Sequence, residues 1–89
     1  MLNTGIAALV RTHITDLLNE AGVAVGPLAD ADQLNTLGLD SLLFARLIIQ
    51  LETEVGVDPF AEDLAVSDVR TVGELTAAYE NAAAATASA

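Results

Sequence analysis

Apolar residues recur every three or four positions through three stretches of this chain, and nowhere do they alternate with polar residues for long. That pattern restricts the backbone to helices, because a 3.6-residue turn gathers such residues on one face. Ile6, Leu9, Val10, Ile14, Leu17 and Leu18 form the first stripe. They predict a helix from about Thr4 to Glu20, stopped near Gly22. Phe44, Leu47, Ile48, Leu51 and Val55 form the second, in a helix that starts at Asp40 or Ser41 and ends at about Val55, before Gly56. Leu42, Leu43 and Ile49 lie partly off this stripe, so the helix is apolar around more of its circumference than a two-layer packing requires. It is expected to be the central helix, to show an apolar strip to a partner, or both. Thr71-Val72-Gly73-Glu74 matches a capping box and opens a third helix, Val72 to about Ala83, with Val72, Leu75, Ala78 and Tyr79 on its buried side.

The segments between are read from their turn formers. Val23 to Leu39 holds Gly26-Pro27, Asp30, Asp32, Asn35 and Gly38 and predicts a long loop, with Leu34 and Leu37 as its anchors. A loop of that length in a compact domain tends to be packed down or functional. Asp58-Pro59 opens a turn, and Ala61 to Arg70 contains one short helical turn. Ala82 to Ala89 carries no large apolar group and is expected to fray. The sum is a small all-α four-helix bundle, with three main helices, one short helix and a long first loop. The folded domain covers residues 1–83, and residues 84–89 form a flexible Ala-rich tail.

Charge narrows the partners. Three arginines, no lysine and thirteen acids give a net charge of −10 over 89 residues. Such a surface repels nucleic acid and anionic lipid, and it attracts proteins with basic docking patches. No apolar run is long enough to span a bilayer and no signal peptide is evident, so a cytoplasmic location is the default. Cysteine is absent, which removes disulfides, thiolate metal sites and a protein thiol nucleophile. A chain of this size also has little room for a buried active-site cavity.

Ser41 is the residue that invites a chemical reading. One explanation is local: Asp and Ser are favoured helix caps, and Asp40-Ser41 precedes an apolar run. A nucleophilic serine needs a base and a group to orient it. His13 is the one histidine, there is no lysine, and no Gly-x-Ser-x-Gly elbow surrounds Ser41. A self-contained hydrolase is therefore disfavoured, and no catalytic residue is assigned. No metal site is assigned either. Asp30 and Asp32 lack the glycine and distant glutamate of a calcium loop, while Glu52 with Glu54 and Glu62 with Asp63 read as solvated faces. One role needs no internal base: Ser41 as an acceptor modified by another enzyme. A helix N-terminus suits a phosphate ester, because free N–H groups and the positive end of the dipole face the anion. Asp40 would repel that anion somewhat, so its place is in capping or enzyme recognition.

These residues carry a resemblance. LGLDSL, Leu37 to Leu42, resembles the phosphopantetheine attachment motif of acyl carrier proteins, with Ser41 matching the serine that receives the arm. SLLFARLIIQLETEVGV, Ser41 to Val57, is similar to the second helix of peptidyl carrier domains in nonribosomal peptide synthetases. TVGELTAAYE, Thr71 to Glu80, is similar to the family's last helix, so the resemblance spans roughly Ile6 to Ala83. It implies a covalent 4′-phosphopantetheine at Ser41, with Asp40 beside it, taken from coenzyme A. It implies a carrier without catalysis of its own, whose reactive thiol belongs to the arm and holds an acyl, aminoacyl or peptidyl thioester. The implied partners are a phosphopantetheinyl transferase, an adenylating or acyltransferase loading enzyme, and downstream condensing, tailoring or transferase enzymes of a nonribosomal peptide or polyketide type of pathway. Gly38-Leu39-Asp40 before the serine, and Leu43, Phe44 and Arg46 after it, depart from both subfamilies and leave the cargo open.

Any enzyme reaching that arm must approach the start of the second long helix. Leu42, Leu43 and Phe44 offer apolar contacts there and Arg46 the nearby positive charge, with Leu43 and Arg46 expected to be the more exposed. The chain is read as a monomer and as a free-standing carrier or an excised domain. The competing reading is an unmodified helical interaction module that lays its apolar helix in a partner's groove.

Overall fold

A computed structural model describes residues 5–60 and 65–88. Thr4, the Glu62–Asp63 pair and Ala89 lie outside the described residues. The elements follow as α1 (Gly5–Glu20), α2 (Leu34–Leu37), α3 (Ser41–Val55), a 3-10 turn (Val66–Asp68) and α4 (Val72–Ser88). This is the small all-α bundle that the periodicity predicts, and the expected helical turn before Arg70 is the 3-10 turn. Two boundaries differ. The long loop ends in the extra helical turn α2, and α4 runs past Ala83 to Ser88. Alanine is the best helix former, and no glycine or proline follows to stop the run. Lack of an apolar anchor weakens a helix end without terminating it.

The core has few members, and they come from all four α-helices and the segments beside them. α1 supplies Val10, Ile14, Leu17 and Leu18, α3 supplies Leu47 and Leu51, and α4 supplies Val72, Leu75, Ala78 and Tyr79, all buried. Ile6 and Leu9 of α1 and Phe44, Ile48 and Val55 of α3 pack on its margin. α1 packs on both α3 and α4 more extensively than those two pack on each other. The central place in the bundle thus falls to α1, and α3 leaves Leu42 and Ile49 exposed. Tyr79 is fully buried; its O–H donates to the Ile48 carbonyl at 3.4 Å, and its ring meets Phe60 edge-on at 6.4 Å. Burial, then the charges of Glu52 and Asp58, push the Tyr79 phenol well above its ordinary range.

The long loop is held by backbone pairing to the start of α4. Gly73 N–H donates to the Asp30 carbonyl at 2.9 Å, Val72 N–H to Asp32 at 3.0 Å, and Leu34 N–H to Arg70 at 2.9 Å. Gln33 and Thr71 form an isolated antiparallel bridge between the two strips. The approach is close enough that a Cβ on Gly73 would sit 2.9 Å from the Asp30 Cβ. The predicted capping box is present: Glu74 N–H donates to Thr71 Oγ1 at 3.1 Å, and Thr71 N–H to Glu74 Oε1 at 3.2 Å. The loop carbonyls and the box together satisfy the first donors of α4, which otherwise have no intrahelical partner. Asp30 also pairs with Arg11 on α1, so the loop touches all of the main layers except α3 through polar contacts. Leu34 is buried as expected and Leu37 is half-buried, while Leu39, not assigned to the core from sequence, is buried beside them.

Candidate functional site

The chain turns into α3 through Gly38, Leu39 and Asp40. Gly38 stands at φ 110°, a left-handed conformation that L side chains rarely adopt. Its N–H closes α2 on the Asn35 carbonyl at 3.3 Å. Leu39 then drops into the core, which turns Asp40 outward at the next residue. Asp40 is the N-cap: it has extended backbone, and its Oδ1 accepts from Leu43 N–H at 2.9 Å. Its carbonyl accepts from Phe44 N–H at 2.8 Å.

The two explanations for a hydroxyl at this position now separate. Asp40 performs the capping, and Ser41 is already the first residue inside the helix. Ser41 is exposed, and among the described residues its hydroxyl has no hydrogen-bond partner. It lies at the edge of an open cleft of about 330 Å³. Leu34, Leu39, Phe44, Val66 and Val69 give this cleft an apolar floor, with Arg70 at its rim. Sequence reasoning did not bring Val66, Val69 or Arg70 to Ser41. They are more than twenty residues away in the chain, and only the pairing of Arg70 with Leu34 across the loop delivers them there.

His13 stands elsewhere. Its Nδ1 is 2.9 Å from Gln50 Oε1 and its Nε2 is 3.8 Å from Glu54, so it faces the far half of α3. Gln50 lies nine residues beyond Ser41, roughly 14 Å along a helix axis. No imidazole is within reach of the Ser41 hydroxyl.

The face of α3 that follows Ser41 is apolar and open. Leu42 is 72% exposed and Ile49 is 64% exposed, and with Ala45 and Arg46 they share one side of the helix. One expectation is reversed here. Leu43 is half-buried against the core, like Phe44, and Leu42 is the residue that stands out. Leu43 and Phe44 flank the Leu47 and Leu51 stripe on the side where the other helices pack, and Leu42 lies on the uncovered side. Arg46 is exposed as expected, and it pairs with Glu20 at the end of α1 at 3.1 Å.

Residues 8–79 match the family model described as phosphopantetheine attachment site. The chain belongs to this family. No curated protein and no solved structure matches it. As a member, the phosphopantetheine-binding chain is a carrier protein bearing a covalently attached 4′-phosphopantetheine. Carrier domains of this kind are typically non-catalytic, and they interact with a phosphopantetheinyl transferase and with partner enzymes. No helix among the described residues is long and apolar enough to cross a membrane. The residues present suit the group: an exposed, unengaged hydroxyl beside an open cleft with a cation at its rim.

Proposed function

We propose that Ser41 is the attachment residue and that the chain carries acyl, aminoacyl or peptidyl thioesters between enzymes of a nonribosomal peptide or polyketide type of pathway. The observation that carries this reading is the division of labour at the start of α3. Asp40 satisfies the helix end, so the neighbouring hydroxyl remains exposed and chemically available. In the loading step Ser41 Oγ forms a new bond to the phosphoryl group supplied by coenzyme A, as the pyrophosphate bond breaks and the nucleotide part leaves. The Ser41 proton passes to a base of the transferase, since none of this chain's described residues is placed to take it. When bound, the arm supplies a thiol for the thioester. The chain itself supplies a fixed graft point, a docking face and no catalytic group.

Docking falls to the exposed side of α3. Leu42 offers apolar area, with Leu43 and Phe44 behind it and Ile49 extending the strip. Arg46 can exchange Glu20 for an acid on a partner, because an exposed ion pair of this kind is worth only about 0–1 kcal/mol. The loading enzyme, adenylating or acyltransferase, and the downstream condensing or tailoring enzymes would meet this same face. A cytoplasmic, monomeric carrier is the form we propose.

Mass spectrometry after incubation with coenzyme A and a broad-specificity phosphopantetheinyl transferase tests the reading. A single covalent addition is expected, and Ser41→Ala should abolish it. A folded chain that stays unmodified would leave the exposed Leu42–Ile49 strip as its main asset and favour the interaction module instead.

A further inference from the structure

The chain has three positive side chains, and two are already engaged. Arg11 pairs with Asp30 and Arg46 with Glu20. The Arg70 guanidinium has no ion pair and no hydrogen bond among the described residues. Its backbone, in contrast, is fixed on both sides: the N–H donates to Glu74 Oε1 at 2.8 Å, and the carbonyl accepts from Leu34 N–H at 2.9 Å. Arg70 is exposed and lines the same cleft as Ser41, and no acid among the described residues pairs with it there. Asp40, the carboxylate in the same cleft, is occupied as the α3 cap.

Loading Ser41 places a phosphodiester anion next to Asp40 on a chain that already carries a net charge of −10. Two like charges a few ångströms apart repel, and water and salt screen that only in part. The start of α3 offers limited relief, since Asp40 has already taken the N–H groups of Leu43 and Phe44. A guanidinium matches phosphate oxygens in charge and in its fork of donors. We propose that Arg70 is a positioning residue for the arm. It pairs with the phosphodiester at Ser41 and turns the root of the arm toward the apolar floor made by Leu39, Phe44, Val66 and Val69. This rests on Ser41 being the attachment residue.

The test compares each variant with itself before and after loading, so that any change in the fold cancels. Mass spectrometry first confirms that wild type, R70Q, R70K and R11Q carry the arm. The holo form of the wild type is expected to melt about 2–4 °C above its apo form, the size of one exposed charge-assisted contact in a domain this small. R70Q should lose at least half of that difference, R70K should keep part of it, and R11Q should retain it in full. In the wild type, the Arg70 side-chain Nε–H resonance and the phosphorus resonance of the arm should both move on loading, and the phosphorus shift should revert in R70Q. Loaded proteins in which the Arg70 resonance stays put, and R70Q shows the wild-type difference in melting temperature, overturn the proposal while leaving Ser41 intact. Failure of the wild type to load at Ser41 overturns the attachment reading and this inference with it.

Discussion

Asp40 and Ser41 are adjacent and both polar, yet the structure gives them separate tasks. Asp40 Oδ1 holds the Leu43 N–H, and nothing holds the Ser41 hydroxyl among the described residues. Their substitutions should therefore separate stability from modification. Asp40→Ala is expected to cost about 0.5–2 kcal/mol by removing the cap. On a domain of this size each kcal/mol lowers Tm by about 4–8 °C. Ser41→Ala should leave the melting curve within about 0.5 kcal/mol of the wild type and eliminate loading. A large loss of stability in the Ser41 variant, seen by thermal circular dichroism, would return the hydroxyl to a structural role. Arg46→Glu belongs to the same scale. It breaks one exposed pair with Glu20, so helical content should hold, while loading or unloading by a partner slows. Unchanged partner kinetics would take Arg46 out of the docking face.

At the level of elements, the cleft exists because a loop and a helix start are stitched together. Gly73, at the second position of α4, is where the stitching is tightest, with no room for a side chain against Asp30. Gly73→Ala trades a small gain in helix propensity for a clash that must push the loop outward. We expect a net loss of about 1–3 kcal/mol in denaturant unfolding. Because the loop leads into Leu34 and Arg70, amide signals of residues 29–34 and 69–73 should shift together. A stability equal to or above the wild type would show that the loop yields freely and does not fix the cleft. The sequence marked the loop as packed down and named Leu34 as an anchor, but not the partner. Backbone hydrogen bonds leave no trace in side-chain identity.

The whole molecule is a thin bundle whose core depends on single large side chains. Tyr79 lies at the junction of α4 with α3, against Phe60 and under Ile48. Its phenol is held protonated by burial, with Glu52 and Asp58 acting in the same direction. The sign of the pH effect follows. An unfolded tyrosine ionises near pH 10, and the folded one resists ionising until well above that. The folded state therefore keeps this stabilisation below about pH 10 and loses it progressively as the pH rises further. Alkaline titration followed by phenolate absorbance and helical circular dichroism should show both signals changing together. Tyr79→Phe should weaken that alkaline dependence. Ionisation that precedes any loss of helix would mean that the phenol is reachable by solvent in the folded state.

The helices, their stripes, the capping box and the attachment motif were legible because each is written in contiguous residues. Periodicity places Leu47 and Leu51 inward, and LGLDSL marks Ser41, without knowledge of any other element. What required the tertiary structure is whatever depends on two distant segments meeting. That Leu42 stands out while Leu43 leans on the core is set by where α1 lies. That Val66, Val69 and Arg70 complete the cleft around Ser41 is set by the pairing of the long loop with the start of α4. Local sequence fixes which way a helix is amphipathic, but only the packing of the other elements decides how much of that apolar face remains open to water.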